Sequence, residues 1–144
     1  MPRIPAAERP TPGFLPPEPR EERTDARYLD GGLLRSVTVS YDLNSGTTRY
    51  RTSAESRYQV GDRQHRCWET HVHETSDRLP ERSSYRGEAG HRIRMAARTI
   101  ELRTRMSLES DAKSFQAGFH RSVFENDRLV REHRWEETVP RRFQ

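Results

Sequence analysis

Strict alternation between apolar and polar side chains over residues 100–109 constrains the fold of this chain more than any other feature. Apolar residues or threonine occupy the even positions, which are Ile100, Leu102, Thr104, Met106 and Leu108. Charged residues or serine occupy the odd positions between them. A period of two residues is that of a β-strand with one apolar and one solvated face, so this stretch is predicted to be a strand.

The residues just before this strand alternate as well, but on the opposite parity. Ile93, Met95 and Ala97 are odd-numbered, whereas the apolar positions from residue 100 onwards are even-numbered. A β-bulge, which adds one residue to a strand, is predicted near residues 97–99 because it would reconcile the two halves. A helix through the same stretch would scatter the apolar residues around its axis, so the strand interpretation is favoured.

Further strands are predicted where short alternating stretches are separated by turn residues. They cover residues 33–43, 48–60, 65–74, 115–124 and 129–139. A turn with positive φ at Asn44 and Gly46 is predicted between the first two strands. Residues 75–90, which contain one proline and two glycines, are predicted to be a loop. The expected fold is all-β, with about six or seven antiparallel strands in one sheet or in a jelly-roll-like sandwich.

The first 30 residues differ in composition from the rest of the chain. Seven of the nine prolines lie between Pro2 and Pro19, with charged residues among them. Residues 1–30 are therefore predicted to form an extended, Pro-rich N-terminal arm or linker, or a disordered tail. Residues 31–144 are predicted to form one antiparallel β domain.

A polar composition limits how much core the chain can build. Only 31% of the residues are hydrophobic, 33% are charged, and the mean hydropathy is −1.12. An average domain is nearer half apolar, so the core is expected to be thin, or to be completed by a partner. The net charge is +4, but charges of both signs alternate along the strands instead of forming a basic patch. Nucleic acid is therefore not expected as a partner.

Cysteine content and apolar runs bear on the expected location. The single cysteine leaves no internal disulfide to form, and no apolar run reaches the length of a membrane span. The first residues lack the apolar segment of a signal peptide. No membrane partner is expected. The expected location is the cytoplasm.

Residues 65–73, HRCWETHVH, combine potential metal ligands with a potential nucleophile. On a strand, one face would carry His65, Cys67, Glu69, His71 and His73. His71 and His73 could lean towards one metal ion and form half of a site, completed by His91, His120, His133 or a carboxylate. Cys67 lies ~13 Å from His71 along a strand, so it could not bind the same ion. The alternative is a solvated strand face that binds no metal.

Catalytic residues are not predicted. A nucleophilic Cys67 would need a histidine from another strand, and no Gly-x-Ser-x-Gly, phosphate-binding or dinucleotide motif occurs. No cofactor is predicted either. The large aromatic residues are predicted to be core or, alternatively, a platform for a sugar or a peptide: Trp68, Phe115, Phe119 and Trp135.

Two stretches together resemble a known family. They are RSVTVSYDLNSGTTRYRTSAESRYQV at 35–60 and MAARTIELRTRMSLESDAKSFQAGFHRSVFENDRLVREHRWEETVPRRFQ at 95–144. Their order of alternating strands, a Ser-Asp-Ala turn, a Trp strand and a final Pro-Arg is similar to the C-terminal β-sandwich tail of the cocaine-esterase-like branch of the Xaa-Pro dipeptidyl-peptidase hydrolases. The resemblance covers roughly residues 12–144, except that residues 62–74 depart from the family pattern.

The resemblance implies a role beside an enzyme. Members of that family join an α/β-hydrolase domain with a Ser-Asp-His triad to a C-terminal jelly roll that packs on it. No triad segment matches this sequence, so the expectation is a non-catalytic β-sandwich module: a separately encoded subunit, a fragment or a stand-alone relative. Its expected partner is an α/β-hydrolase chain or a second copy of itself. The alternative is a small metal- or ligand-binding β-barrel that uses His71 and His73.

Overall fold

A computed structural model describes residues 25–141, apart from the side chains of residues 30–32, and these residues form one antiparallel sheet. Seven strands follow one another in chain order: β1 (Ala26–Asp42), β2 (Thr47–Val60), β3 (Arg63–Ser76), β4 (Ser83–Arg94), β5 (Thr99–Ser110), β6 (Ser114–Glu125) and β7 (Arg128–Pro140). Each strand pairs with its neighbours in the chain, and β1 and β7 are the two edges of an open sheet. The prediction of an all-β antiparallel fold is confirmed.

The described residues do not form the predicted sandwich. A jelly roll or a sandwich needs a second sheet packed on the first, and residues 25–141 provide a single sheet. β1 begins at Ala26, before the boundary predicted after residue 30. The predicted Pro-rich arm otherwise lies outside the described residues.

The first turn follows the sequence prediction at one of its two positions. Gly46 has a φ of 64°, as predicted, whereas Asn44 is not among the residues with positive φ. Asn44 serves the turn through its backbone N–H, which donates to the Asp42 carboxylate at 2.9 Å. The Ser45 hydroxyl donates to the same carboxylate at 2.8 Å, and these hydrogen bonds, that of Ser45 first, lower the pKa of Asp42. An Asx-type turn therefore closes this hairpin.

The parity switch near residue 97 is a hairpin, so the predicted β-bulge is wrong. β4 ends at Arg94 and β5 begins at Thr99, and a turn between them is closed by the Met95 N–H donating to the Arg98 carbonyl at 2.9 Å. Ile93 and Ile100 lie opposite each other across this hairpin. Reversing the chain at a turn of even length puts odd and even apolar residues on the same face, which a single bulged strand would also have done.

The predicted loop at 75–90 is half strand, because β4 begins at Ser83. The alternation pattern does not identify this strand because it contains two glycines, and glycine ordinarily weakens a strand. A Cβ on Gly90 would lie 2.0 Å from the Trp68 ring, and one on Gly87 would lie 2.4 Å from the Tyr85 hydroxyl. Aromatic side chains therefore cover the glycines and take the place of the missing side chains.

The two faces of the sheet differ in chemistry. Residues opposite each other in an antiparallel register point to the same face, so the odd-numbered residues of β3 and their partners define one face, here called the apolar face. It carries Val37, Val39, Tyr41, Tyr50, Tyr58, Tyr85, Ile93, Ile100, Leu102, Met106, Leu108, Phe115, Phe119, Val123, Trp135 and Val139. The opposite face, here called the charged face, carries Arg49, Glu55, Arg66, Glu74, Arg86, Glu88, Arg92, Glu101, Arg103, Arg105, Glu109, Glu132 and Arg134.

Within residues 25–141 no second layer covers either face. Among the described residues no hydrophobic side chain is buried, and the buried side chains are the polar ones of Glu101, Ser110 and Ser122. Ordinary domains bury the apolar face of a sheet against a helix or a second sheet. The apolar face of this sheet is therefore the surface that its sequence pattern prepares for burial.

Candidate functional site

β3 places the predicted ligand set on the apolar face. The register sets the five side chains opposite residues of β4: His65 opposite Ile93, Cys67 opposite His91, Glu69 opposite Ala89, His71 opposite Gly87 and His73 opposite Tyr85. Trp68 and Val72 point to the charged face, as the alternation predicted. The prediction that one face carries the whole set is confirmed, and the same face carries the apolar residues of β5.

A groove of about 830 Å³ lies on the apolar face between β3 and β7. Its polar wall is formed by His71, His73 and Tyr85, and its apolar wall by Met106, Leu108, Phe119 and Trp135. Trp135 is 46% exposed and Met106 is 50% exposed, so large apolar side chains stand open to an incoming group. The groove is a concave and largely apolar feature of the described sheet, and it is the candidate binding site.

His71 and His73 each contact neighbouring side chains. The His71 Nδ1 atom lies 2.8 Å from the Tyr85 hydroxyl, and its Nε2 atom lies 3.6 Å from a Glu69 carboxylate oxygen. The His73 ring packs against the ring of Tyr85 at 4.7 Å and against that of Tyr50 at 6.0 Å. These contacts give both histidines a role as walls of the groove.

The remaining predicted ligands lie elsewhere. His120 is on the charged face, where its Nε2 atom lies 2.6 Å from a Glu132 carboxylate oxygen; this hydrogen bond is the main cause that lowers the pKa of Glu132. His133 lies on the apolar face of β7, opposite Arg121. Within residues 25–141 no group of three His, Cys, Asp or Glu side chains is arranged to hold a metal ion. A metal site at His71 and His73 stays a prediction.

His65 and His91 form a second histidine pair. The His65 Nδ1 and His91 Nε2 atoms are 3.1 Å apart. The His65 ring stacks on Tyr58 with a centroid distance of 4.8 Å and an interplanar angle of 6°. Cys67, half-buried, lies opposite His91 in the register. The cross-strand histidine that a nucleophilic Cys67 would need is thus on the same face, and no nucleophile is assigned.

Three of the four predicted platform aromatics share the apolar face. Phe115, Phe119 and Trp135 lie on it, and Phe119 and Trp135 are opposite each other across β6 and β7. Trp68 lies on the charged face, where the Arg66 guanidinium sits 5.1 Å from its ring. Three of these residues can therefore contribute to one binding surface, and Trp68 cannot.

Ion pairs organise the charged face. Glu101, only 3% exposed, accepts hydrogen bonds from both Arg92 and Arg103. Burial acts to raise the pKa of Glu101, but the hydrogen bonds and charges of the two arginines outweigh it and hold the pKa below its usual value. Glu55 is paired with Arg66, whose hydrogen bond is the main cause that lowers the pKa of Glu55. The charged face is thus neutralised internally and offers no single-signed patch.

Sequence reasoning missed Tyr85, which it placed in a loop, and it gave Met106 and Leu108 no role in a site beyond the apolar positions of a strand. The alternation around Tyr85 is interrupted by Gly87 and Gly90. The signal that could have revealed the strand is the presence of a tyrosine and a tryptophan able to cover these two glycines.

Comparison of the chain with models of known protein families, with curated proteins and with solved structures gives no significant match. In the described part of the chain no helix is long and apolar enough to cross a membrane.

Proposed function

We propose that this chain is a non-catalytic β module that docks its apolar face on a protein partner, and that the partner is an α/β-hydrolase domain of the kind its sequence resemblance implies. The observation that carries the proposal is the uncovered apolar face. Val37 is 62% exposed, and Met106 and Trp135 are about half exposed. Contiguous apolar surface of this kind marks a protein interface, because soluble monomers seldom leave it open.

The aromatic and methionine side chains of the apolar face are of the kinds found in an interface core, and charged residues such as Arg35, Glu69, Arg121 and Glu137 lie among them. Tyrosine, tryptophan, phenylalanine and methionine are enriched at such cores, and charged residues are depleted. β5 shows the contrast most simply, since Leu102, Met106 and Leu108 lie on the apolar face while Arg103 and Arg105 lie on the other. The groove beside Trp135 supplies a pocket for a side chain of the partner, which is the usual setting of an energetic hot spot.

A supporting role fits the lack of catalytic groups in the described sheet. The aromatic and histidine side chains of the apolar face contact one another, and no serine among residues 25–141 belongs to a nucleophile motif. The proposed role is therefore to complete and wall an enzyme site that the partner carries. A cytoplasmic location belongs to this proposal as well.

The test is co-purification of this chain with α/β-hydrolase domains that lack a C-terminal sheet of their own, read by mass measurement and by turnover of a p-nitrophenyl ester. We expect a complex with the hydrolase, and no ester turnover by this chain alone. Trp135→Glu places a charge in the groove and should weaken the complex by a factor of about 30 or more, the effect of losing a hot-spot residue. Thr138→Glu, on the charged face of the same strand, should leave the complex unchanged.

Three results would contradict the proposal. They are ester turnover by this chain alone, a monomer that binds no hydrolase, and a complex weakened equally by Trp135→Glu and Thr138→Glu. A dimer of this chain that Trp135→Glu dissociates would retain the docking face but replace the hydrolase by a second copy.

A further inference from the structure

The geometry of the His65–His91 pair allows two kinds of interaction. The two imidazoles can share a hydrogen bond, or they can chelate a metal ion. The two residues are diagonal neighbours: His65 lies opposite Ile93, and His91 is two residues earlier on β4. Their Nδ1 and Nε2 atoms approach to 3.1 Å. One of these nitrogens must carry a proton if the contact is a hydrogen bond, whereas both must be deprotonated to bind a metal.

The separation of the two nitrogens suits a common ion. Each imidazole nitrogen lies about 2.0–2.1 Å from a bound zinc ion. Two such nitrogens 3.1 Å apart subtend an angle of about 100° at the ion, close to the tetrahedral value that zinc prefers. The centroids of the two rings are 5.3 Å apart, so the rings meet nearly head-on, and each must turn to aim its nitrogen lone pair at a common ion.

The surroundings of the pair hold one of the two rings in place. The His65 ring is stacked on Tyr58, with their planes within 6°. A ring that is already oriented loses less conformational entropy on binding, which favours a chelate over two freely rotating histidines. Each neutral imidazole can also keep its one proton on the nitrogen that faces away, so the ion replaces a hydrogen bond without leaving either ring charged.

We propose that His65 and His91 form a two-nitrogen chelate for a divalent transition-metal ion of the zinc type, with water completing the coordination. This site is distinct from the one that the sequence predicts at His71 and His73. The two pairs lie on the same strand face but are separated by ~20 Å, the length of the six residues from His65 to His71 on a strand. The proposal is independent of docking on a hydrolase.

The test measures binding of Zn²⁺ to the full chain, purified without a histidine tag, by isothermal titration calorimetry. A Cys67→Ser background removes the only thiol of the chain, so zinc uptake there reports on the imidazoles. We expect one zinc ion per chain. His65→Gln and His91→Gln should each weaken binding by a factor of about 100, since loss of even an outer-shell partner of a metal ligand costs about 10–100-fold. The double variant His71→Gln/His73→Gln, the matched control, should bind zinc as the background does.

A second measurement does not depend on the folding of a variant. Imidazole resonances of the Cys67→Ser protein are followed by NMR during the zinc titration, and those of His65 and His91 should shift together, while those of His71 and His73 stay in place. No zinc uptake by the Cys67→Ser protein, uptake that survives both single variants, or uptake lost in the His71→Gln/His73→Gln control would each overturn the proposal.

Discussion

Gly90→Ala is expected to destabilise the sheet by about 1–3 kcal/mol, the range observed when an extra methyl group is forced into occupied space. The added Cβ would lie 2.0 Å from the Trp68 ring, far inside van der Waals contact. Trp68 must then leave its place over β4, and its contact with the Arg66 guanidinium, 5.1 Å from the ring, is lost as well. The free energy of unfolding in urea measures the effect, and the fluorescence of Trp68 reports its displacement.

Two controls separate this steric effect from the general effect of replacing a glycine. At Gly118 a Cβ would meet only the Ser107 hydroxyl, at 2.7 Å, and that hydroxyl can rotate away. Gly118→Ala should therefore be neutral or stabilise by up to about 1 kcal/mol, because alanine restricts the unfolded chain. In a Trp68→Ala background the cost of Gly90→Ala should largely disappear, since residues in contact couple. An equal cost of Gly90→Ala with and without Trp68 would show that the ring does not cover this glycine.

The covered glycines also show where sequence reasoning reaches its limit. Alternation predicted β5 and parts of β1, β2, β3, β6 and β7, because each of these strands has one apolar and one polar face. It failed for β4, because Gly87 and Gly90 are typical of a loop. The contacts of Tyr85 and Trp68 with these glycines are visible only in the structure. Gly90 is covered from β3 by Trp68, and the sequence of β4 alone does not contain this contact, whereas Gly87 is covered by Tyr85 of its own strand.

The same limit applies to the candidate site. Strand periodicity correctly grouped the odd residues of β3, since that property is local to one strand. It could not identify the pairing of His65 with His91, or that of His71 with Tyr85, because both depend on the register between β3 and β4.

Glu101→Gln is expected to lower the free energy of unfolding at neutral pH by about 1–2 kcal/mol. Removing one partner of a fully buried ion pair costs about 3–5 kcal/mol. The cost is smaller here because Arg92 and Arg103 are 33% and 53% exposed and can be hydrated when the carboxylate is lost. Glu88→Gln is the matched control: its pair with Arg105 lies on the same face with both side chains about two-thirds exposed or more, so little change is expected.

The dependence on pH tests the cause of this difference. The pKa of Glu101 is held below its ordinary value of 4.5 in the folded chain, so the ionised carboxylate favours folding at pH values above 4.5. That contribution is lost as the pH falls through the folded-state pKa, because the Glu101 carboxyl is then protonated in both the folded and the unfolded chain. The stability of the native chain should therefore approach that of Glu101→Gln once the pH lies below the folded-state pKa of Glu101. Asp42, Glu55, Asp111 and Glu132, whose pKa values are also lowered, titrate in both proteins, so the difference between the two unfolding curves isolates Glu101. A difference that stays constant from neutral pH into acid would show that Glu101→Gln acts through packing and not through the charge that Arg92 and Arg103 share.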